Sequence, residues 1–264
     1  MDNDFNSQFS EKLQVLRKVA VESCQLAAQS IVNEKENQED DLASIKKLGE
    51  ELLESIKQII SRIKMPDSFE AISKMNKVQY VYWDYLSQDF IDDILNACDV
   101  DNYLFEYEGK GDFASIELII KKCIENVFIN QYKTLFSQSL DAYHDGSFHL
   151  SALGLTAIID ATLSEVSQNS TPHAKERYDK ILEKLKNKEI VDEEEYAILV
   201  LYWTFHSMAK SFYKKAPFSE QEPILLNRHW IAHGRTKREF SQLDCIKLIR
   251  FLYSILIIGE FDKK

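Results

Sequence analysis

Ser147-Phe148-His149-Leu150-Ser151-Ala152-Leu153-Gly154-Leu155-Thr156-Ala157-Ile158-Ile159-Asp160 is a run of small and apolar side chains in which Asp160 alone is acidic. It predicts a helix, continuing to about Gln168, that packs closely on most of its sides. Ser147 is placed to cap its first turn. Just before it, Asp145-Gly146 ends a helix expected over Ile116 to Tyr143, since glycine readily takes the left-handed conformation of a helix end. Further helices are expected over about Ala174–Asn187, Glu193–Lys215 and Ile224–His233, and over a nearly all-apolar Gln242–Glu260 that belongs in a core. Seven glycines and four prolines in 264 residues are too few for a loop-rich β-sandwich. The expected fold class is all-α, a multi-helix bundle.

Residues before this stretch divide into two parts. From Gln8 to Lys64, apolar positions such as Leu42, Ile45, Leu48, Leu52, Ile56 and Ile59 recur every three or four residues and predict a helical hairpin. Met65-Pro66-Asp67 ends it, because proline removes a donor and restrains the residue before it. Asn76–Gly111 is mixed, with an extended Val78–Trp83, a short helix at Gln88–Ala97 and a polar loop at Glu108–Asp112. The expected division is an N-terminal helical and linker region, 1–112, followed by a helical domain, 113–264.

Apolar residues make up 45% of the chain and charged residues 28%, enough for a real core. The charge-free stretch Phe251–Gly259 is far shorter than a membrane span, and Met1–Asp4 lacks the basic-then-apolar order of a secretory signal. A cytoplasmic location is the expectation. Cys24, Cys98, Cys123 and Cys245 form no C-x-x-C pair and read as reduced thiols, mostly in helical cores. The net charge of −11 is unevenly spread: residues 210–264 hold eleven Lys/Arg against six Asp/Glu, a balance of +5, so residues 1–209 carry −16. An acidic body with a basic C-terminal segment can still present a local anion-binding face.

The candidate chemistry lies in Leu226-Asn227-Arg228-His229-Trp230-Ile231-Ala232-His233-Gly234-Arg235. His229 and His233 are four apart and share a helical face. Arg228 and His233 are five apart, about 140° around the axis and about 7.5 Å along it, so both can border one cleft at the helix end. The plain alternative is a helix-end arginine and histidine satisfied by carbonyls. A metalloprotease pattern would need glutamate directly after His229, where Trp230 stands, so neither a metal nor any other cofactor is implied. His144, His149, His173 and His206 have no comparable neighbours and read as structural.

Arg228-x4-His233, with a polar His229 directly after the arginine, resembles the motif of the HEPN superfamily (higher eukaryote and prokaryote nucleotide-binding domains). The wider Asn-Arg-His-x-x-x-His-Gly, followed by a final apolar helix, is similar to uncharacterised bacterial members. Ala157–Asp160 resembles the family's small and apolar run ending in an acidic residue. The likeness spans Phe113–Phe261. It implies a HEPN-type bundle and a metal-independent endoribonuclease, a toxin or phage-defence effector, whose homodimer brings two motifs to one cleft. Histidine exchanges protons near neutral pH and guanidinium is a permanent planar donor for phosphate oxygens, which suits RNA cleavage. His233 is then the proton-transfer group and Arg228 the transition-state stabiliser, with His229 and Asn227 orienting substrate or the catalytic pair.

Two arginines near one phosphate repel, so a carboxylate is expected beside Arg228, and Asp160 is the candidate. Arg235, Lys237 and Arg238 read either as RNA-backbone contacts or as solvated loop residues, and Trp230 as a core or interface residue rather than a base-stacking one. RNA, a second copy of the chain and an antitoxin or regulatory protein are the expected partners. The alternative is a non-catalytic HEPN-like helical protein that binds nucleotide, RNA or a partner protein, which the acidic 1–209 segment favours. A purely structural helical adaptor is the third reading.

Overall fold

A computed structural model describes residues 67–83, 86–187 and 195–261. The expected hairpin over residues 8–64, and Cys24 with it, lie outside the described residues. Every regular element among the described residues is helical, so the molecule is an all-α, multi-helix bundle. In chain order the helices are α1 (Asp67–Lys77), α2 (Gln88–Asn96), α3 (Val100–Gly109), α4 (Ala114–Glu125), α5 (Lys133–His144), α6 (Phe148–Val166), α7 (Ala174–Asn187), α8 (Glu195–Phe212), α9 (Arg228–Ala232) and α10 (Gln242–Glu260). A 3-10 helix, Val127–Tyr132, joins α4 to α5.

Helix α10 is the axis of the bundle. Ser241 and Asp244 form a reciprocal capping box that starts it, and most of its residues are buried on all sides. It packs along α6, which in turn pairs with α5, while α4, α7 and α8 complete its surroundings. Gly146, with φ of +76°, closes α5 as expected. Ser147 precedes α6, but its hydroxyl makes no capping bond; its carbonyl accepts from the amides of Leu150 and Ser151 instead. Gly154 of α6 lets α5 approach so closely that an added Cβ would lie 2.0 Å from the Ser139 hydroxyl.

Three local expectations need correction. The single helix over Ile116–Tyr143 is broken at Asn126, whose extended backbone stops α4 and whose side chain caps the 3-10 turn by accepting from Phe128 N–H. A helix over Val100–Gly109, capped by the Asp99 side chain accepting from Asn102 N–H, takes in the first two residues of the loop expected at Glu108–Asp112. Residues 78–83 are neither helix nor strand. Thr204 exchanges hydrogen bonds with the Tyr82 amide and carbonyl, and Arg250 donates to the Val81 carbonyl, so side chains do the work of a neighbouring strand.

The described residues fall in one compact unit. The described part of the 1–112 region therefore shares the core of the 113–264 domain. The tie is a buried cluster in which Arg250 of α10 pairs with Glu108 of α3, Tyr80 donates to the same carboxylate, and the guanidinium lies 4.6 Å from the Tyr80 ring and 4.5 Å from that of Trp83. No helix among the described residues is long and apolar enough to cross a membrane. Cys123 and Cys245 are buried and Cys98 is exposed, all as free thiols.

Candidate functional site

Helix α9 is short because both of its ends are closed within one turn and a half. Asn227, extended at φ −134°, accepts from the amides of His229 and Trp230 and so caps the start. At the other end Gly234 adopts φ +60°, its amide bonds the Ile231 carbonyl, and Arg235 N–H bonds the Trp230 carbonyl. That pair of bonds is a Schellman closure, which needs a left-handed residue such as glycine after the last turn. The helix expected from Ile224 therefore begins only at Arg228, and His233 sits at its C-cap.

Long-range bonds hold this turn in place. Buried Gln79 accepts from Leu226 N–H at 2.7 Å and donates to the Leu226 carbonyl at 2.9 Å, reproducing a backbone pair with one side chain. The Asn227 amide donates to the Lys214 carbonyl at 2.8 Å, and the Trp230 indole N–H donates to the Ala216 carbonyl at 3.1 Å. Asn227 is buried with both polar groups engaged by backbone, so it orients the motif from within. Trp230 is buried, as expected for a core residue.

Arg228 and Asp160 meet. Nε and Nη2 of the guanidinium lie 2.6 and 2.5 Å from Asp160 Oδ2, and Tyr213 donates to Oδ1 at 2.9 Å. The carboxylate is mostly buried, while the arginine side chain keeps 36% of its surface open. Burial, followed by the charge of Asp160, holds the Tyr213 phenol well above its ordinary pKa, so it remains a donor to Asp160. Beneath this pair, Arg177 donates to the Asp160 carbonyl and to Ser164 Oγ. Arg228, Asp160 and Ala232 form one end of a groove of about 560 Å³ between α5, α6 and α9. Its walls include the exposed side chains of Leu135, Leu150 and Leu153.

The two imidazoles gather elsewhere on the same turn. His229 and His233 have ring centroids 4.7 Å apart in an edge-to-face arrangement, and His233 is exposed. Burial, then the charges of His233, Arg228 and Lys215, push the His229 pKa below its ordinary value, so the ring is neutral at neutral pH. Phe218 stacks on His229 with centroids 4.4 Å apart and planes within 8° of parallel. Arg235 is exposed, with its guanidinium 5.2 Å from the centre of the Phe218 ring. Arg238 is engaged by both oxygens of Asp244, and the Lys237 amide by Glu222. His149 donates to the Arg238 carbonyl, and His144 pairs with Glu117.

Sequence reasoning missed Tyr213, Gln79 and Phe218. None stands at a helical spacing from the motif, and only the proline before Phe218 marks a turn there. Among the described residues, no three His, Cys, Asp or Glu side chains converge as metal ligands. Comparison of the chain with protein families, curated proteins and solved structures finds no match.

Proposed function

We propose that this chain is a metal-independent endoribonuclease of the HEPN type that works as a homodimer. The observation that carries the proposal is one capped turn that presents a partly open guanidinium, held by Asp160, and two imidazoles that meet edge to face, His233 exposed. In this reading a neutral imidazole takes the proton of a ribose 2′-OH, whose oxygen attacks the adjacent phosphorus. An imidazolium returns a proton to the departing 5′-oxygen. His233 is the exposed proton-transfer group, and His229 orients it. Arg228 donates to the phosphate oxygens as charge builds on them, where a fixed donor is worth most. Asp160 holds that donor in place, and Arg235 contacts the substrate backbone.

Acid and base come from the motifs of two copies. The apolar groove ending at Arg228 supports this association, because large exposed leucines continuous with a charged site mark an interaction surface. RNA is the substrate and an antitoxin or regulatory protein the restraint, in a cytoplasmic toxin or antiviral defence effector. The charge of −16 on residues 1–209 favours the second reading, a HEPN-like protein that binds nucleotide, RNA or a partner protein without cleaving it.

Total RNA incubated with the protein in excess EDTA separates the two. The wild type cleaves, and His233→Ala and Arg228→Lys each lose at least about 100-fold, since neither proton transfer nor a planar two-nitrogen donor survives. His233→Ala keeps the wild-type melting temperature, its side chain being exposed. Light scattering shows a dimer for all three. Intact RNA with the dimeric wild type selects the binding reading. Cleavage that persists in both variants, or a monomeric wild type, overturns the proposal.

A further inference from the structure

Phe218 belongs to no motif, yet it touches four side chains of the turn. Besides the parallel stack on His229, its ring meets His233 edge-on at 5.6 Å and 76°, and Trp230 edge-on at 5.4 Å and 78°. The Arg235 guanidinium lies within cation–π range of it. Its backbone is stiff. Phe218 follows Pro217, whose carbonyl accepts from Glu220 N–H at 3.1 Å, closing a β-turn. The strand of chain leading into that turn is tied to α9 by the Asn227–Lys214 and Trp230–Ala216 bonds. The turn and the helix therefore move as one piece.

We infer that Phe218 is a positioning residue whose ring fixes the planes of His229 and His233. An imidazole on a surface rotates broadly about its last torsion, and its two ends are chemically distinct. A flat partner on one face of His229 removes that freedom, and the edge contacts of both Phe218 and His229 restrict His233. Phe218 is 37% exposed, so its ring lies at the surface beside the imidazoles rather than sealed in the core. Proton transfer tolerates misorientation of about 10–20°. The effect on turnover rests on the nuclease reading; the effect on the rings does not.

The test uses full-length protein, with carbon-13 imidazole spectra and cleavage kinetics read side by side. In the wild type, the His229 ring protons resonate upfield because they lie over an aromatic face, with cross-relaxation between the Phe218 ring and both imidazoles. Phe218→Leu moves His229 to its unshifted position and lowers kcat about 10- to 100-fold while KM stays within about twofold. Phe218→Tyr restores both. If the wild type cuts no RNA but the spectra behave as described, the nuclease reading fails and the positioning role stands. Absence of the upfield shift and of cross-relaxation in the wild type overturns the positioning role, even if no variant folds. So does a Phe218→Leu protein with unchanged kcat and raised KM, which would make Phe218 a stacking surface for substrate.

Discussion

At Arg228 two guanidinium nitrogens converge on one oxygen of Asp160, while Tyr213 occupies the other. Both carboxylate oxygens are thus engaged where Asp160 lines the groove, and the arginine is held without being enclosed. His229 is governed differently, by burial against Phe218 and by the positive field of His233, Arg228 and Lys215. Its folded-state pKa lies below the unfolded value of about 6.5, so the unfolded chain binds this proton more readily. The stability that follows is complete above about pH 6.5 and is lost as pH falls through the lower, folded value. Melting temperature measured from about pH 7.5 to 5 therefore falls less steeply in His229→Gln than in the wild type. Parallel curves would show that the ring carries no such linkage. Asp160 was legible as the lone acid of an apolar run. Tyr213 was not, since its phenol finds Asp160 across 53 residues of chain.

Helices α7 and α10 run as their sequences predict, α10 because the Ser241–Asp244 capping box and a nearly continuous apolar run mark it locally. The break at Asn126 is of another kind. Its flanks carry apolar residues in good helical register, and the interruption is sustained by two side-chain bonds, one to the Phe128 amide and one from Nδ2 to Glu260 of α10 at 2.7 Å. Asn126→Ala removes both, and equilibrium urea unfolding should show a loss of about 1–2 kcal/mol, the range of a lost cap. An unchanged midpoint would mean that 3-10 geometry there is set by packing alone. Helix α3 was missed although its cap, Asp99, was visible. Val100–Gly109 has aromatic and acidic residues without a clear apolar stripe, and its buried Glu108 reads as solvent-facing until Arg250 is known to lie above it.

At the scale of the whole molecule, that Glu108–Arg250 pair joins segments 142 residues apart within the compact unit to which the described residues belong. Both members are buried, so losing one charge leaves the other uncompensated. Glu108→Gln should cost about 3–5 kcal/mol in urea unfolding, with one transition monitored by both far-ultraviolet dichroism and tryptophan fluorescence. A loss under about 1 kcal/mol would show that water already reaches the pair. Gln79 extends the same logic to the site, since a residue far upstream of Arg228 clamps the Leu226 backbone. The amino-acid sequence by itself determined the helical class, most helix ends and the Arg228–His233 spacing, because backbone sterics, capping and apolar periodicity act over a few residues. Tertiary structure alone decided that Glu108 faces Arg250, that Gln79 and Tyr213 brace the motif and that Phe218 lies flat on His229. Those contacts form only once the chain topology has brought distant side chains together and removed them from competing water.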